Sequence, residues 1–247
     1  MTNEAVITIV GRMAPSDPVH ELLLDAVVHA ELGLGVCLNT RWLDLDELDE
    51  LESAFRGTAA AVLAPGRQTE TRELRHELLG AISGLRARRV PTLAVEDGFN
   101  HLLIEWARNV IGKKDAGARA YDERAGLAVI DRFIEKPHKL VDTRRIETVE
   151  IEIERGTLLH DVYGVDKVRE SSRATDAPSG DYAAEFAASG MIASARARQG
   201  ERCVIAAMEA TNLPFFVGVS FLPQLRTRQG SPHPLFARLI REALRDK

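Results

Sequence analysis

Apolar positions along the chain recur with two periods, and the changes between them mark out the elements. Residues 5–10 form a short β-branched run closed by Gly11, which predicts a first buried strand. Ser16-Asp17-Pro18 reads as a helix start; Leu22, Ala26, Val27 and Ala30 give that helix one apolar face, and Gly33 and Gly35 end it. A second strand is expected over 36–42, an acidic helix with a solvated face over 44–54, and a third strand over 58–64, closed by Pro65-Gly66. Residues 69–88 read as a helix with Leu74, Leu78, Ile82 and Leu85 on one side. Strands alternating with helices argue for βαβ units, a parallel sheet and, through right-handed crossovers, helices on both faces.

The stretch that organises the pattern is 90–101. Its apolar run, Thr92 to Val95, stops at Glu96-Asp97-Gly98, and a helical pattern follows at once with Phe99, Leu102, Leu103, Trp106 and Val110 at steps of three and four. Strand, sharp turn, helix is the layout of a nucleophile elbow. Such a turn lifts one side chain, here Glu96, above the carboxyl end of a parallel sheet, where open α/β folds bind ligands.

Beyond Gly112 the rhythm is less regular. Residues 113–123 read as a polar loop, 127–130 as a strand and 135–145 as irregular. Residues 148–155 alternate strictly, so a half-exposed strand in an antiparallel pair is expected there. The Ser-, Thr-, Asp-, Pro- and Gly-rich stretch 171–181 reads as a mobile loop. A short helix over 182–189, a hairpin of 191–198 with 203–209 through Gln199-Gly200-Glu201, a hydrophobic strand over 215–221 and an amphipathic helix over 234–245 complete the chain. With no internal repeat and no linker, a single domain over residues 1–247 is expected.

Composition narrows the classes. A net charge of −5 gives no basic footprint for nucleic acid. No apolar run approaches the ~20 residues of a membrane span, and the first residues lack the pattern of a signal peptide. A cytoplasmic protein is therefore expected. Two cysteines, Cys37 and Cys203, sit in strand-like runs and read as small buried hydrophobes, with neither a disulfide nor a metal cluster. No cofactor is expected, and no metal, because no recognised ligand spacing occurs.

The segment 90–101, followed by Ile104-Glu105-Trp106-Ala107-Arg108-Asn109-Val110-Ile111-Gly112, resembles the glutaminase domain of CTP synthase, a class I glutamine amidotransferase. That family's strand carries Pro-Tyr-Leu-Gly-Ile-Cys-Leu-Gly-Met-Gln, followed by a helix ending in a similar Ala-Arg-Asn-Val. Phe221-Leu222-Pro223-Gln224 and His233-Pro234-Leu235-Phe236 resemble its Phe-His-Pro-Glu-Phe and His-Pro-Leu-Phe. Val10-Gly11 and Arg41-Trp42-Leu43-Asp44 also fit. The resemblance covers nearly the whole chain at modest identity. It implies a flavodoxin-like three-layer αβα sandwich, with a mostly parallel central sheet and a few antiparallel strands in the C-terminal half. It is closer to the free-standing relatives of the CTP synthase C-terminal region, since no ATP-dependent half and no Walker-type loop is seen.

The same resemblance implies a changed site. The family uses a Cys nucleophile, a His base and a Glu that orients the His; here Glu96, Leu222 and Gln224 stand at those positions. The oxyanion segment Pro-Gly-Gly becomes Pro65-Gly66-Arg67, Asn100 replaces a substrate-contacting Gln, and Ala120 stands where a ligand-binding Glu would be. Arg173 falls near the arginine that holds the α-carboxylate of glutamine. Glutamine hydrolysis by Cys-His-Glu chemistry is therefore excluded. Glu96 reads either as a general base, nucleophile or ligand contact, or as part of a helix cap in which Asp97 is the N-cap residue. Pairing with Arg67 would make Glu96 structural, whereas an apolar pocket would suit it to proton transfer. Gly66, Arg67, Asp97, Gly98, Asn100, Arg173, Leu222 and Gln224 would line the former glutamine pocket. His101 reads as a packing residue and His233 as a cap, while Tyr163 and His160 are candidates for the pocket mouth.

Two functions follow. The first is a repurposed small-molecule enzyme, a hydrolase or lyase, using Glu96 on an amino-acid-like, amide or carboxylate substrate. The alternative is a non-catalytic pseudo-glutaminase serving as a ligand-binding or regulatory subunit. The expected partner is a small molecule in the former glutamine pocket, with a homodimer or partner subunit left open, and neither nucleic acid nor membrane.

Overall fold

A computed structural model describes residues 5–13, 17–44, 54–66, 73–122, 124–133, 145–199 and 202–245. Arg67, most of the acidic helix expected over 44–54, the start of the helix expected from 69, the irregular 135–145 stretch but for its last residue, and the Gly200-Glu201 turn lie outside the described residues.

The first half is βα in character. β1 (Val6–Val10), β2 (Asn39–Leu43), β3 (Thr58–Leu63) and β4 (Thr92–Val95) are joined through α1 (Pro18–Leu34), α2 (His76–Ala87) and the elbow helix α3 (Asp97–Asn109). Then follow β5 (Ala116–Ala118), β6 (Leu127–Arg132), β7 (Glu147–Ile153), α4 (Leu158–Tyr163), β8 (Lys167–Ser172), β9 (Asp176–Pro178), α5 (Ala183–Ala188), β10 (Met191–Gln199), β11 (Arg202–Ala210), β12 (Phe216–Val219) and α6 (Pro234–Ala243).

Nine strands make the central sheet in the order β2-β1-β3-β4-β12-β11-β10-β7-β8. The first five are mutually parallel and the last four pairings antiparallel. Two apolar cores lie on its two faces. One packs α1, α4 and α6 against the sheet through Leu23, Val27, Leu159, Leu235 and Leu239. The other packs α2, α3 and α5 through Leu78, Ile82, Leu103, Trp106 and Phe186. This is the expected three-layer sandwich. β5, β6 and β9 form a separate three-stranded sheet beside α3.

The physical reasons are local. α1 starts where Asp17 accepts from the Val19 N–H at 3.0 Å, with Pro18 in the first turn, and ends at Gly35 in the left-handed region. α3 lies unusually close to the sheet because two neighbours have no side chain. A Cβ on Gly98 would come within 2.7 Å of the Leu63 carbonyl oxygen, and one on Gly218 within 2.0 Å of the Phe99 ring. β7 shows the alternation read from its sequence, with Val149, Ile151 and Ile153 buried and the glutamates between them exposed.

Several expectations need correction. The stretch 171–181 is no open loop: β8 ends at Ser172, β9 pairs antiparallel with β6, and Ser172, Arg173 and Asp176 are buried. Its turn-forming residues are used for short strand ends and side-chain bonds, such as the Ala174 N–H donating to Ser172 Oγ. The 113–123 stretch contains β5, whose small residues pack under α3. Cys37 and Cys203 are exposed rather than buried. Cys37 precedes β2 and Cys203 lies near the hairpin end of β11, beyond the cover of the helices. Among the described residues no helix is long and apolar enough to cross a membrane.

Candidate functional site

Three adjacent parallel strands, β3, β4 and β12, deliver their carboxyl ends to one place, followed by Pro65-Gly66, Glu96 and Ser220-Phe221-Leu222 respectively. Glu96 occupies the tip of the elbow. Its backbone has φ 51° and ψ −106°, a region costing of order 1–3 kcal/mol for a side chain with a Cβ. The surroundings hold it there. Its N–H donates to the Val219 carbonyl at 2.8 Å, and its carbonyl accepts from Phe99 and Asn100 in the first turn of α3. Glu96, not Asp97, is the N-cap residue, and its side chain makes no cap bond. Asp97 is already inside the helix and uses its carboxylate elsewhere.

The Glu96 carboxylate is turned inward and only 5% of the residue is exposed. Oε2 accepts from the Gly66 backbone N–H at 2.9 Å and lies 3.4 Å from the Arg173 guanidinium. The same Arg173 nitrogen donates to the Gly66 carbonyl at 2.6 Å, and its other terminal nitrogen stands 3.8 Å from Asp17 Oδ2. The Pro65 carbonyl accepts from His20 Nε2 at 3.0 Å. The exit of β3 is thus clamped from α1, from the elbow and from the segment after β8. Charge-assisted bonds of this kind are about twice as strong as neutral ones.

The cavity beside Glu96 is lined by Asn100, Ala174, Asp176 and Ser220 and has a volume of about 10 Å³. That is about the space taken by a single water probe. Asp176 accepts from Thr175 Oγ1 at 2.8 Å and faces Arg132 at 3.8 Å.

A second network lies behind the elbow. Asp97 accepts from Tyr121 Oη at 2.8 Å and from Arg75 at 3.4 Å. His101 Nδ1 donates to the Asp97 carbonyl at 2.9 Å, while Nε2 accepts the Arg75 N–H at 3.2 Å. Burial pushes the His101 imidazole below its ordinary range, with Asp97 opposing the shift only in part. Both ring nitrogens are therefore engaged in a packed environment, in keeping with a packing role. His233 caps α6 through Nδ1, which accepts from the Leu235 N–H, and its Nε2 donates to Glu170 at 3.0 Å. Tyr163 donates to the same Glu170 oxygen at 2.9 Å. Burial, with Glu170 adding to it, pushes the Tyr163 phenol well above its usual range. Tyr163 thus belongs to a buried network and not to a pocket mouth. His160 sits at the surface against Asp166 at 3.1 Å.

Of the nine residues expected to form the site, Gly66, Glu96, Asn100 and Arg173 converge. Gly98 serves close packing, and Asp97 faces Arg75 and Tyr121. Leu222 is fully buried in the core and its N–H donates to the Ser171 carbonyl at 2.7 Å. Gln224 is buried against α1, where Nε2 donates to the Val19 carbonyl at 3.4 Å. Asp17, Asp176 and Ser220 are members that sequence reasoning missed. Only the Asp17-Pro18 helix start carried a signal, and it spoke of capping. Among the described residues no group of three or more His, Cys, Asp or Glu is placed to hold a metal ion.

With this geometry in hand, similarity to known proteins gains meaning. The chain is 30% identical to CTP synthase of Archaeoglobus fulgidus over 98% of its length, and 28% identical to that of Natronomonas pharaonis over 98%. It spans 45% and 43% of those two proteins, less than half of each. The glutaminase domain of Trypanosoma brucei CTPS, solved with bound acivicin, superposes with a TM-score of 0.85 at 22% identity, covering 97% of this chain and 94% of that one. No protein-family model matches the sequence. In sequence and in backbone fold, the chain is similar to the C-terminal glutaminase domain of CTP synthase.

Proposed function

We propose that this chain is a glutaminase-fold protein without glutaminase activity, one domain over residues 1–247, acting in the cytoplasm as a ligand-binding or regulatory subunit. One observation carries the reading. The backbone N–H of Gly66, in the segment that resembles the family's oxyanion loop, is already occupied by the protein's own Glu96 carboxylate. A tetrahedral oxyanion needs that donor free. The other two family positions support the reading: Leu222 has no proton to transfer, and Gln224 bonds to α1 instead of orienting a base. The 10 Å³ cavity beside Glu96 leaves no room for an amino acid in this conformation.

The test is ammonia release from glutamine by the purified chain and by Glu96→Cys. Neither is expected to exceed the buffer rate, because a thiol at the tip gains no base from Leu222. Release by the unmodified chain would overturn the proposal. The repurposed-enzyme reading has one feature in its favour, the retained strained elbow with Asn100, Asp176 and Ser220 around it. It requires turnover of small amides, lactams or esters that disappears in Glu96→Gln.

A further inference from the structure

A second, larger cavity lies away from Glu96, against Arg108 of α3. It measures about 530 Å³ and is lined by Leu74, Arg108 and residues on either side of β5, among them Lys114, Tyr121 and Arg124. That volume falls within the roughly 300–1,000 Å³ typical of small-molecule sites. Among the described residues three cations line it: Arg108, Lys114 and Arg124. The Arg108 guanidinium is pinned by its Nε donating to the Ala116 carbonyl at 2.7 Å, so it is held in place before any ligand arrives. Lys114 and Arg124 have no side-chain ion pair among the described residues. Among the described residues two carboxylates also line the cavity. Asp122 is engaged in its own turn, accepting the Arg124 N–H at 2.9 Å, which leaves Asp115 as the other anion.

We propose that this cavity binds a small organic anion, a carboxylate or phosphate ester, through Arg108, Lys114 and Arg124. Leu74 and Ala125 supply the apolar wall. Tyr121 is part of the same wall, and its hydroxyl donates to Asp97 in the first turn of the elbow helix. A ligand seated here touches a residue that is bonded directly to the elbow. Charge-assisted contacts to a pinned guanidinium supply orientation, and the exposed lysine and arginine supply attraction that salt weakens.

The experiment is thermal unfolding and calorimetric titration of the whole chain with inorganic phosphate, succinate and glycerol 3-phosphate, in low salt. Binding by the ester but not by succinate selects a phosphate ligand, and the reverse selects a carboxylate. At about a hundredfold excess over Kd, a bound ligand raises Tm by roughly 5–11 °C. Lys114→Gln/Arg124→Gln, both at exposed positions, should weaken binding at least tenfold without lowering the unliganded Tm. Glu96→Gln should leave affinity unchanged, which separates this site from the one behind the proposed function. Absence of binding by all three probes at millimolar concentration, or equal binding by the double variant, overturns the proposal.

Discussion

Removing the Arg173 cation tests whether Glu96 is a locked internal anion. In Arg173→Met the buried guanidinium, with 3% of its side chain exposed, disappears from between two carboxylates, Glu96 at 3.4 Å and Asp17 at 3.8 Å. The Gly66 carbonyl also loses its 2.6 Å donor. Breaking a buried pair by deleting one partner costs about 3–5 kcal/mol. For a chain of this size that lowers Tm by roughly 6–20 °C. Glu96→Gln keeps an oxygen for the Gly66 N–H and loses only charge, so a cost of about 1–3 kcal/mol is expected. Because the two side chains share one interaction, the double variant should lose less than the sum, by about 1–3 kcal/mol. Urea unfolding monitored by far-ultraviolet circular dichroism gives all four free energies, with midpoints compared at constant m. Costs that add to within about 0.5 kcal/mol would show that Arg173 and Glu96 do not act together, and the account of the locked elbow would fail.

Other expectations are simpler. Gly98→Ala should destabilise by about 1–3 kcal/mol in denaturant unfolding, since contact with the Leu63 carbonyl outweighs a helix-propensity gain of ~1 kcal/mol. His101 is held neutral by burial, its folded pKa lying below 6.5. Its contribution is therefore present above that pH and is lost as pH falls from there toward the folded value, because the unfolded chain binds the proton more readily. Urea midpoints measured between pH 7.5 and 5 should fall, and His101→Gln should flatten that slope. Tyr163→Phe removes the phenol bonded to Glu170 and should cost about 1–2 kcal/mol in urea unfolding.

How much of this was legible beforehand depended on the range of the interaction. Thr92 to Val95, then Phe99, Leu102, Leu103 and Trp106, announced strand and helix because each pattern is local and its burial follows from periodicity alone. The alternation in β7 did the same. The stretch after Gly164 was opaque for the opposite reason. Lys167 to Ser172 is an edge strand recognised only through its pairing with β7, and three-residue β9 is defined by β6. Turn-forming residues there carried the wrong message, since their side chains bond to backbone in a buried place. Glu96 was legible from the strand–turn–helix layout itself, whereas Gly66 was found because a family pattern pointed to it. Asp17 was read only as a cap, although it also faces Arg173 from the far side of the sheet's mouth, and Asp176 was passed over as loop.

The strained tip at residue 96 has a consequence for how such a protein changes over generations. Its backbone is dictated by the fit of Gly98 under Leu63 and of Gly218 under Phe99, and by the Val219 bond, none of which involves the side chain at the tip. The shape that presents a reactive group is therefore inherited as architecture, independently of whether a reactive group is present. A lineage can exchange the tip residue while the scaffold stays as it was, and the bent backbone outlasts whichever side chain it carries.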